Sequence, residues 1–388
     1  MLSRIKFNLS IVSIFTVVFA CTNIDQNKIS KQINDQPVVL IHGIKGGILK
    51  DKKSQDIKWL NLSQSLNLDS PNIKLPLEWS DTDIPKQSQD NLVTGGVLDK
   101  ITMIPNLIEV KVYHNILEQG TKKYTNFYPF SYDWRRSNLD SLENYLTFLR
   151  QLKRKHNKPV KVIAHSMGGL LTMAAMQREP ELFESVFFAG VPFAGGVGFL
   201  KDLHTDLATG LNKKLLSPEV LASMPSVYSL FPIKSDNELS DGKNIINVDF
   251  FNSNDWQKLK IGPFAYPFSN NDQFKKHFSN SLKVAKIFRQ QLTEGKLISN
   301  GKLVKDQPKV FVILAKTIPS MTQVIHNGPK SILNWDFESA PKELGDGLVS
   351  FKDAYPPQGL KYTEFESKFD HGNLLNDQLV LDWIFSQK

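Results

Sequence analysis

The sequence predicts an α/β fold, a mostly parallel sheet wrapped by helices and carrying cap or lid insertions. Four short, predominantly apolar runs recur: "PVVLIHG" (37–43), "PVKVIAHS" (159–166), "SVFFAGVPF" (185–193) and "KVFVILAKT" (309–317). Strands buried on both faces of a parallel sheet read in this way. Between and after them lie stretches of helical periodicity, and strands alternating with helices give a sheet covered on both sides. The chain has 388 residues, 41% of them hydrophobic, which suits one α/β domain enlarged by insertions.

The elements follow in order. Residues 1–20 read as a signal peptide, with Arg4 and Lys6 ahead of a mostly apolar stretch from Phe7 to Ala20. That stretch is shorter than the roughly 20 residues of a membrane span. "VFAC" (18–21) resembles a bacterial lipobox, in which the lone cysteine, Cys21, becomes the lipidated first residue; Phe19 departs from that pattern. The expectation is export and anchoring as a lipoprotein of the bacterial cell envelope. A secreted protein with a chance cysteine, or an uncleaved anchor, is the alternative. Residues 21–36 are polar and read as a tether, and 37–388 as the folded domain.

The first strand is 37–43, and a second short strand lies within "NFYPFSYDW" (126–134). Leu139, Leu142, Leu146, Leu149 and Leu152 recur at helical spacing and predict a helix over 138–156. The strand at 159–166 leads into a helix reaching Met176. Residues 362–367 alternate like a last strand, and "NLLNDQLVLDWIFSQ" (373–387) reads as a closing helix. Two stretches break the rhythm. Residues 48–100 and 197–300 carry scattered Trp, Phe and Pro without strand alternation, and read as a cap or lid. In the second, Ser217 and Pro218 mark the start of a short helix, and Asp272–Leu292 looks helical. Trp59, Trp79 and Trp256 lie in these insertions. Their amphipathic rings would either meet a lipid surface or pack the cap onto the sheet.

The net charge of +8 comes from 47 basic and 39 acidic residues, with no long basic run. A nucleic-acid footprint would need clustered Lys and Arg, so no nucleic-acid partner is expected, and a mildly basic surface suits anionic lipid. No spacing fits a metal site and no phosphate-loop ending follows the glycines of "HGIKGG" (42–47), so no cofactor is expected.

The chemistry centres on "VIAHSMGGLL" (162–171), a variant of the G-x-S-x-G elbow with Ala164 and Gly168 in the small-residue places. Small residues are needed there because the turn brings backbone close on both sides. Ser166 would stand exposed at the end of a strand and at a helix N-terminus, where the dipole favours a developing anion. A serine hydroxyl needs a base. Of His204, His277, His326 and His371, the last follows the final strand and is the candidate catalytic base. The orienting acid should follow the preceding strand. Asp346 in "LGDGLVS" (344–350) has that place, with Asp133, Asp353 and Asp370 as competitors and a plain Gly-Asp-Gly turn as the other reading. The oxyanion hole would use the backbone N–H groups of Met167 and Ile44.

With these residues set out, the chain resembles the lecithin:cholesterol acyltransferase family within the α/β-hydrolases. "PFSYDWRRS" (129–137), "AHSMGG" (164–169), "GVPFAGG" (190–196), "SMPSVYSLFP" (223–232) and "GDGLV" (345–349) are similar to family segments, in the family's order. The resemblance implies an acyl-serine intermediate on Ser166 with Asp346 and His371 as partners, a lipid ester as acyl donor at a membrane interface, and a supporting role for Tyr132, Asp133, Trp134 and Arg135. The expected function is therefore a serine acylhydrolase or O-acyltransferase on lipid esters. A carboxylesterase for small soluble esters and a non-catalytic binding lipoprotein are the alternatives. Three departures stand out: Leu348 where the family often has Thr or Ser, His-Gly in place of Pro-Gly at 42–43, and no cysteine beyond Cys21 for the lid disulfides of animal relatives.

Overall fold

A computed structural model describes residues 35–387 apart from 105–107, 206, 300, 301 and 305. The expected signal peptide, Cys21 and the tether up to residue 34 lie outside the described residues.

Six parallel strands make the central sheet: β1 (Val38–Ile41), β2 (Phe127–Phe130), β3 (Val160–His165), β4 (Phe183–Ala189), β5 (Lys309–Ala315) and β6 (Thr363–Ser367), in the spatial order β6-β5-β4-β3-β1-β2. Each apolar run of the sequence supplies one of the buried strands. The register aligns the carboxyl ends: Ile41 sits opposite Ala164, His165 opposite Ala189, and Ala315 opposite Ser367. The chain leaves β1 on one side toward β2 and returns on the other at β3. The crevice outside the carboxyl ends of these strands is where an open α/β sheet binds ligands.

Side chains alternate between two cores. Val39, Ile41, Val162, Ala164, Val186, Phe188 and Val312 face one layer; Val38, Leu40, Ile163, Phe187, Ala189, Phe311 and Ile313 face the other. The first layer contains helices α2 (Asn138–His156), α3 (Met167–Arg178) and α4 (Asp272–Gln290); the second contains α1 (His114–Lys123) and α5 (Gln378–Ser386). α2 buries Leu142, Leu146, Leu149 and Leu152 as the spacing predicts. Ser137 caps it by accepting the Leu139 N–H, and Asn157 ends it in the left-handed conformation at φ 52°. Lys161 is the one charged side chain of β3; its Nζ donates to the Gln387 carbonyl at 2.8 Å, at the end of α5. Burial brings its pKa down to about 8.

The insertions hold structure that the sequence did not signal. Residues 48–100 do contain strands: Gly47–Asp51 pairs antiparallel with both Ile57–Trp59 and Leu92–Val97. Those segments mix Lys, Thr and Gly with apolar residues, so their pairing left no period-two signal. Of the two readings of the insertion tryptophans, Trp59 and Trp256 follow the packing one, buried in the core of the first layer; Trp79 is half-buried, with its indole N–H on His277. Residues 197–300 hold short helices at Leu200–His204, Pro218–Ala222 and Ser253–Leu259 before α4. Among the described residues no helix is long and apolar enough to cross a membrane.

Candidate active site

Ser166 sits between β3 and α3 with φ 52° and ψ −128°, a strained conformation for a residue with a side chain. The surrounding bonds hold it there: its N–H donates to the Ala189 carbonyl at 2.9 Å, and its carbonyl accepts the Gly169 N–H at 2.8 Å. The small residues of the elbow are explained by backbone proximity. A side-chain carbon on Gly168 would run into the His42 carbonyl oxygen, and one on Gly43 would come within 2.7 Å of the Ser166 Cβ.

The loop after β6 carries His371, and the short strand Lys342–Gly345, which follows β5, ends at Asp346. The structure brings the three side chains together. Ser166 Oγ lies 2.9 Å from His371 Nε2, and His371 Nδ1 lies 2.7 Å from Asp346 Oδ2. The other carboxylate oxygen, Oδ1, accepts the N–H groups of Leu348 at 3.0 Å and Val349 at 2.7 Å. Burial of this carboxyl raises its pKa, but the His371 ring and the two backbone donors outweigh that and hold it below the usual carboxylate value. The His371 N–H also donates to the Asp346 carbonyl at 2.8 Å, so backbone and side chain orient the ring together. With Asp346 ionised, Nδ1 carries the ring proton and Nε2 is free to accept one from Ser166.

The competitors are engaged elsewhere. Asp133 pairs with Arg135 at 2.7 Å, Asp370 accepts from Gly372 and Asn373, and Asp353 accepts the Ser350 hydroxyl at 2.7 Å. His204 accepts from Gly262, with its other ring nitrogen on the Ile332 carbonyl. His277 accepts from Trp79 and has Nε2 on the Ala222 carbonyl; His326 packs against Trp335.

Both expected oxyanion donors adjoin Ser166: Met167 follows it in the chain, and Ile44 lines the same cleft. Met167 opens α3, so its N–H has no partner within the helix. Ile44 and Ser166 line one cleft whose walls include Pro192, Phe199, Leu230 and Leu348. Asp353 brings the one charged side chain to that lining. The Ile44 N–H is aimed by its own peptide. The Gly43 carbonyl, in the same plane, lies 2.7 Å from His42 Nδ1 and accepts the Gly46 N–H at 3.2 Å. In a trans peptide the N–H then points the opposite way. The Tyr132 N–H donates to His42 Nε2 at 3.3 Å, which leaves the proton on Nδ1 for the Gly43 carbonyl. Burial pushes this imidazole down to about 4, so it stays neutral.

The segment Tyr132–Arg135 supports that loop. The Tyr132 hydroxyl donates to the His42 carbonyl at 3.1 Å, and the Trp134 indole N–H to the Gly47 carbonyl at 3.0 Å. Arg135, buried, pairs with Asp133 and Asp90, each at 2.7 Å. Tyr113 and His165 also reach the site and escaped the sequence reading. The glycines of "HGIKGG" were the available signal, since a side-chain carbon on Gly46 would come within 2.8 Å of the Tyr113 ring. Among the described residues no group of three His, Cys, Asp or Glu side chains could hold a metal ion.

The chain is similar to several known proteins. An uncharacterized protein of Saccharomyces cerevisiae is 26% identical over 244 residues, covering 59% of this chain and 34% of that protein. Phospholipase A(1) LCAT3 of Arabidopsis thaliana is 28% identical over 247 residues, covering 54% of each. The chain thus spans about half or less of the length of these relatives. Among solved structures, the Tle4–Tli4 complex contains a chain similar at a TM-score of 0.52 and 14% identity, over 91% of this chain and 98% of that one. That likeness shows the fold, the α/β-hydrolase fold. The profile described as "Lecithin:cholesterol acyltransferase" matches residues 96–330, well over half of the sequence and inclusive of Ser166, and the chain belongs to the lecithin:cholesterol acyltransferase family.

Proposed function

We propose that this chain is a serine acylhydrolase or O-acyltransferase that acts on lipid esters through an acyl-serine intermediate. The observation that carries this reading is the unbroken line from Ser166 through His371 to Asp346, 2.9 and 2.7 Å, at the wall of a largely apolar cleft. Family membership and the phospholipase name of the Arabidopsis relative support the lipid class.

In this mechanism Ser166 Oγ attacks the acyl carbonyl carbon while His371 Nε2 takes its proton. Asp346 stabilises the imidazolium that forms. The carbonyl π electrons move onto oxygen, and the Ile44 and Met167 N–H groups stabilise that anion. The intermediate collapses, the ester C–O bond breaks, and His371 protonates the departing alcohol. Water or a lipid hydroxyl then attacks the acyl-serine, giving its proton to His371, and Ser166 is regenerated. The apolar cleft wall suits an acyl chain. The stretches near 48–100 and 197–300 would act as a cap over it.

Incubation with mixed phosphatidylcholine and sterol vesicles, read by mass spectrometry, tests the reading. Free fatty acid alone assigns a hydrolase, and steryl or acylglycerol ester assigns a transferase. Release of neither, from protein whose Ser166 reacts with a fluorophosphonate, refutes a lipid substrate. We further propose anchoring through a lipidated Cys21. Cys21→Ser should then move the protein out of the membrane fraction with its activity intact, and unchanged fractionation excludes that anchor.

A further inference from the structure

A second hydrogen-bond chain runs behind the triad. Tyr113 directly precedes α1, and its ring is buried. Its hydroxyl accepts the Gly43 N–H at 2.9 Å and lies 2.7 Å from His165 Nδ1. A phenol has one proton to give. With its lone pair facing Gly43, that proton goes to His165 Nδ1, which leaves the imidazole proton on Nε2. His165 Nε2 is 2.9 Å from the His371 carbonyl oxygen and donates to it. Burial favours this neutral arrangement, raising the Tyr113 phenol well above its ordinary range and pushing His165 down to about 3. His371, Asp346 and His42 are the titratable groups that act on His165.

The glycine loop is shaped around this chain. A side-chain carbon on Gly43 would stand 3.2 Å from His165 Nδ1, and one on Gly46 would stand 3.0 Å from the Tyr113 hydroxyl oxygen. Tyr113 therefore fills a slot that only glycines leave open.

We propose that Tyr113 and His165 are positioning residues that tie the oxyanion loop to the backbone of His371, so that the Ile44 N–H and the proton-accepting ring keep one fixed separation. This rests on the reading of Ser166 as the nucleophile. One end of the chain is the peptide next to the Ile44 donor; the other is the carbonyl of the histidine itself. The transition state needs both groups in place at once, and a misplacement of about 1 Å costs about 100-fold in rate. A purely structural network would lower stability and leave turnover per folded molecule unchanged.

The test uses the full chain with p-nitrophenyl butyrate, and fluorophosphonate titration counts intact sites. Tyr113→Phe removes the link at the phenol. His165→Asn keeps an acceptor toward Tyr113 but loses the donor toward His371. Each should lower kcat roughly 10- to 100-fold with KM within about twofold, and weaken an alkyl boronic acid by the same factor. The double variant should be no worse than about threefold below the weaker single, because one chain is broken only once. Losses that multiply in the double, or a kcat within about threefold of the parent, overturn the proposal. A parent that neither labels nor turns over the ester refutes the nucleophile reading instead. Nitrogen NMR of the parent protein gives a check that needs no variant: His165 should hold its proton on Nε2, and the opposite tautomer overturns the proposal.

Discussion

Asp346→Asn should abolish turnover while leaving the fold in place, and the structure says why. Oδ1 receives two backbone N–H groups, from Leu348 at 3.0 Å and Val349 at 2.7 Å. An asparagine must put its carbonyl oxygen there, because its NH2 group would face two donors. The NH2 group then occupies the Oδ2 place, 2.7 Å from His371 Nδ1. It offers a proton where the ring now holds one, so the ring shifts to the tautomer protonated on Nε2. That nitrogen faces Ser166 Oγ at 2.9 Å and can no longer accept its proton. Restoring the working tautomer costs about 1–1.5 kcal/mol of hydrogen bonding. The lost attraction between carboxylate and imidazolium adds about 4 kcal/mol at an effective dielectric of about 20 and roughly 4 Å between charge centres. The total, about 5–5.5 kcal/mol, is a fall of about 10⁴ in kcat. Hydrolysis of p-nitrophenyl butyrate, with the thermal midpoint followed by circular dichroism, measures both sides. A loss smaller than about tenfold at an unchanged midpoint would refute the assignment of Asp346 as the orienting acid.

Ser166→Ala should remove both ester turnover and fluorophosphonate labelling while the thermal midpoint stays at or above the parent's, since the strained φ of 52° holds no side-chain bond beyond that to His371; labelling equal to the parent's would exclude Ser166 as nucleophile. Burial holds His42 and His277 at about 4 and His165 at about 3, against about 6.5 in an unfolded chain. As pH falls through 6.5 the unfolded chain takes up these protons first. Stability present above that pH is therefore lost toward pH 4, at up to about 1.4 kcal/mol per pH unit for each histidine. Urea midpoints at pH 7 and pH 5 check this, and equal midpoints would contradict neutral burial of the three. Arg135→Met should destabilise by about 3–5 kcal/mol, because it strands Asp133 and Asp90 beside a buried site. A urea midpoint within error of the parent's would show that Arg136, also paired with Asp90, suffices.

What could be read from the chain depended on the range of the contacts involved. The four inner strands of the sheet announced themselves because burial on both faces demands apolar runs, and α2 because its leucines repeat every turn over Asn138–His156. Ser166, Asp346 and His371 were read from chain order: Ser166 follows β3 and His371 follows β6, while Asp346 comes after β5 across a short antiparallel pair. α1 was not, because Gly120 and a run of Asn, Gln, Thr and Lys mask its apolar stripe; Gly120 is there because a side-chain carbon would run into the Phe127 ring. Tyr113 was invisible for a related reason. Its partners Gly43 and His165 lie 70 and 52 positions away, and only the packing of α1 against the sheet joins them. Trp59 and Trp256 show the ambiguity of large aromatics, whose composition serves a core as well as a lipid-facing surface.

If Ser166 is the nucleophile, the separation of the proposed triad along the chain sets when its chemistry could begin during synthesis. Ser166 and the histidine that would activate it are 205 positions apart, and His371 follows the last strand of the sheet. A growing chain that has already folded its elbow still lacks both the proton acceptor and the edge strand β6 that delivers it. Lys161, at the amino end of β3, also awaits the carbonyls at the end of α5. On the proposed reading, Ser166 therefore lacks its base until the chain has been made through His371 and β6 has paired with β5.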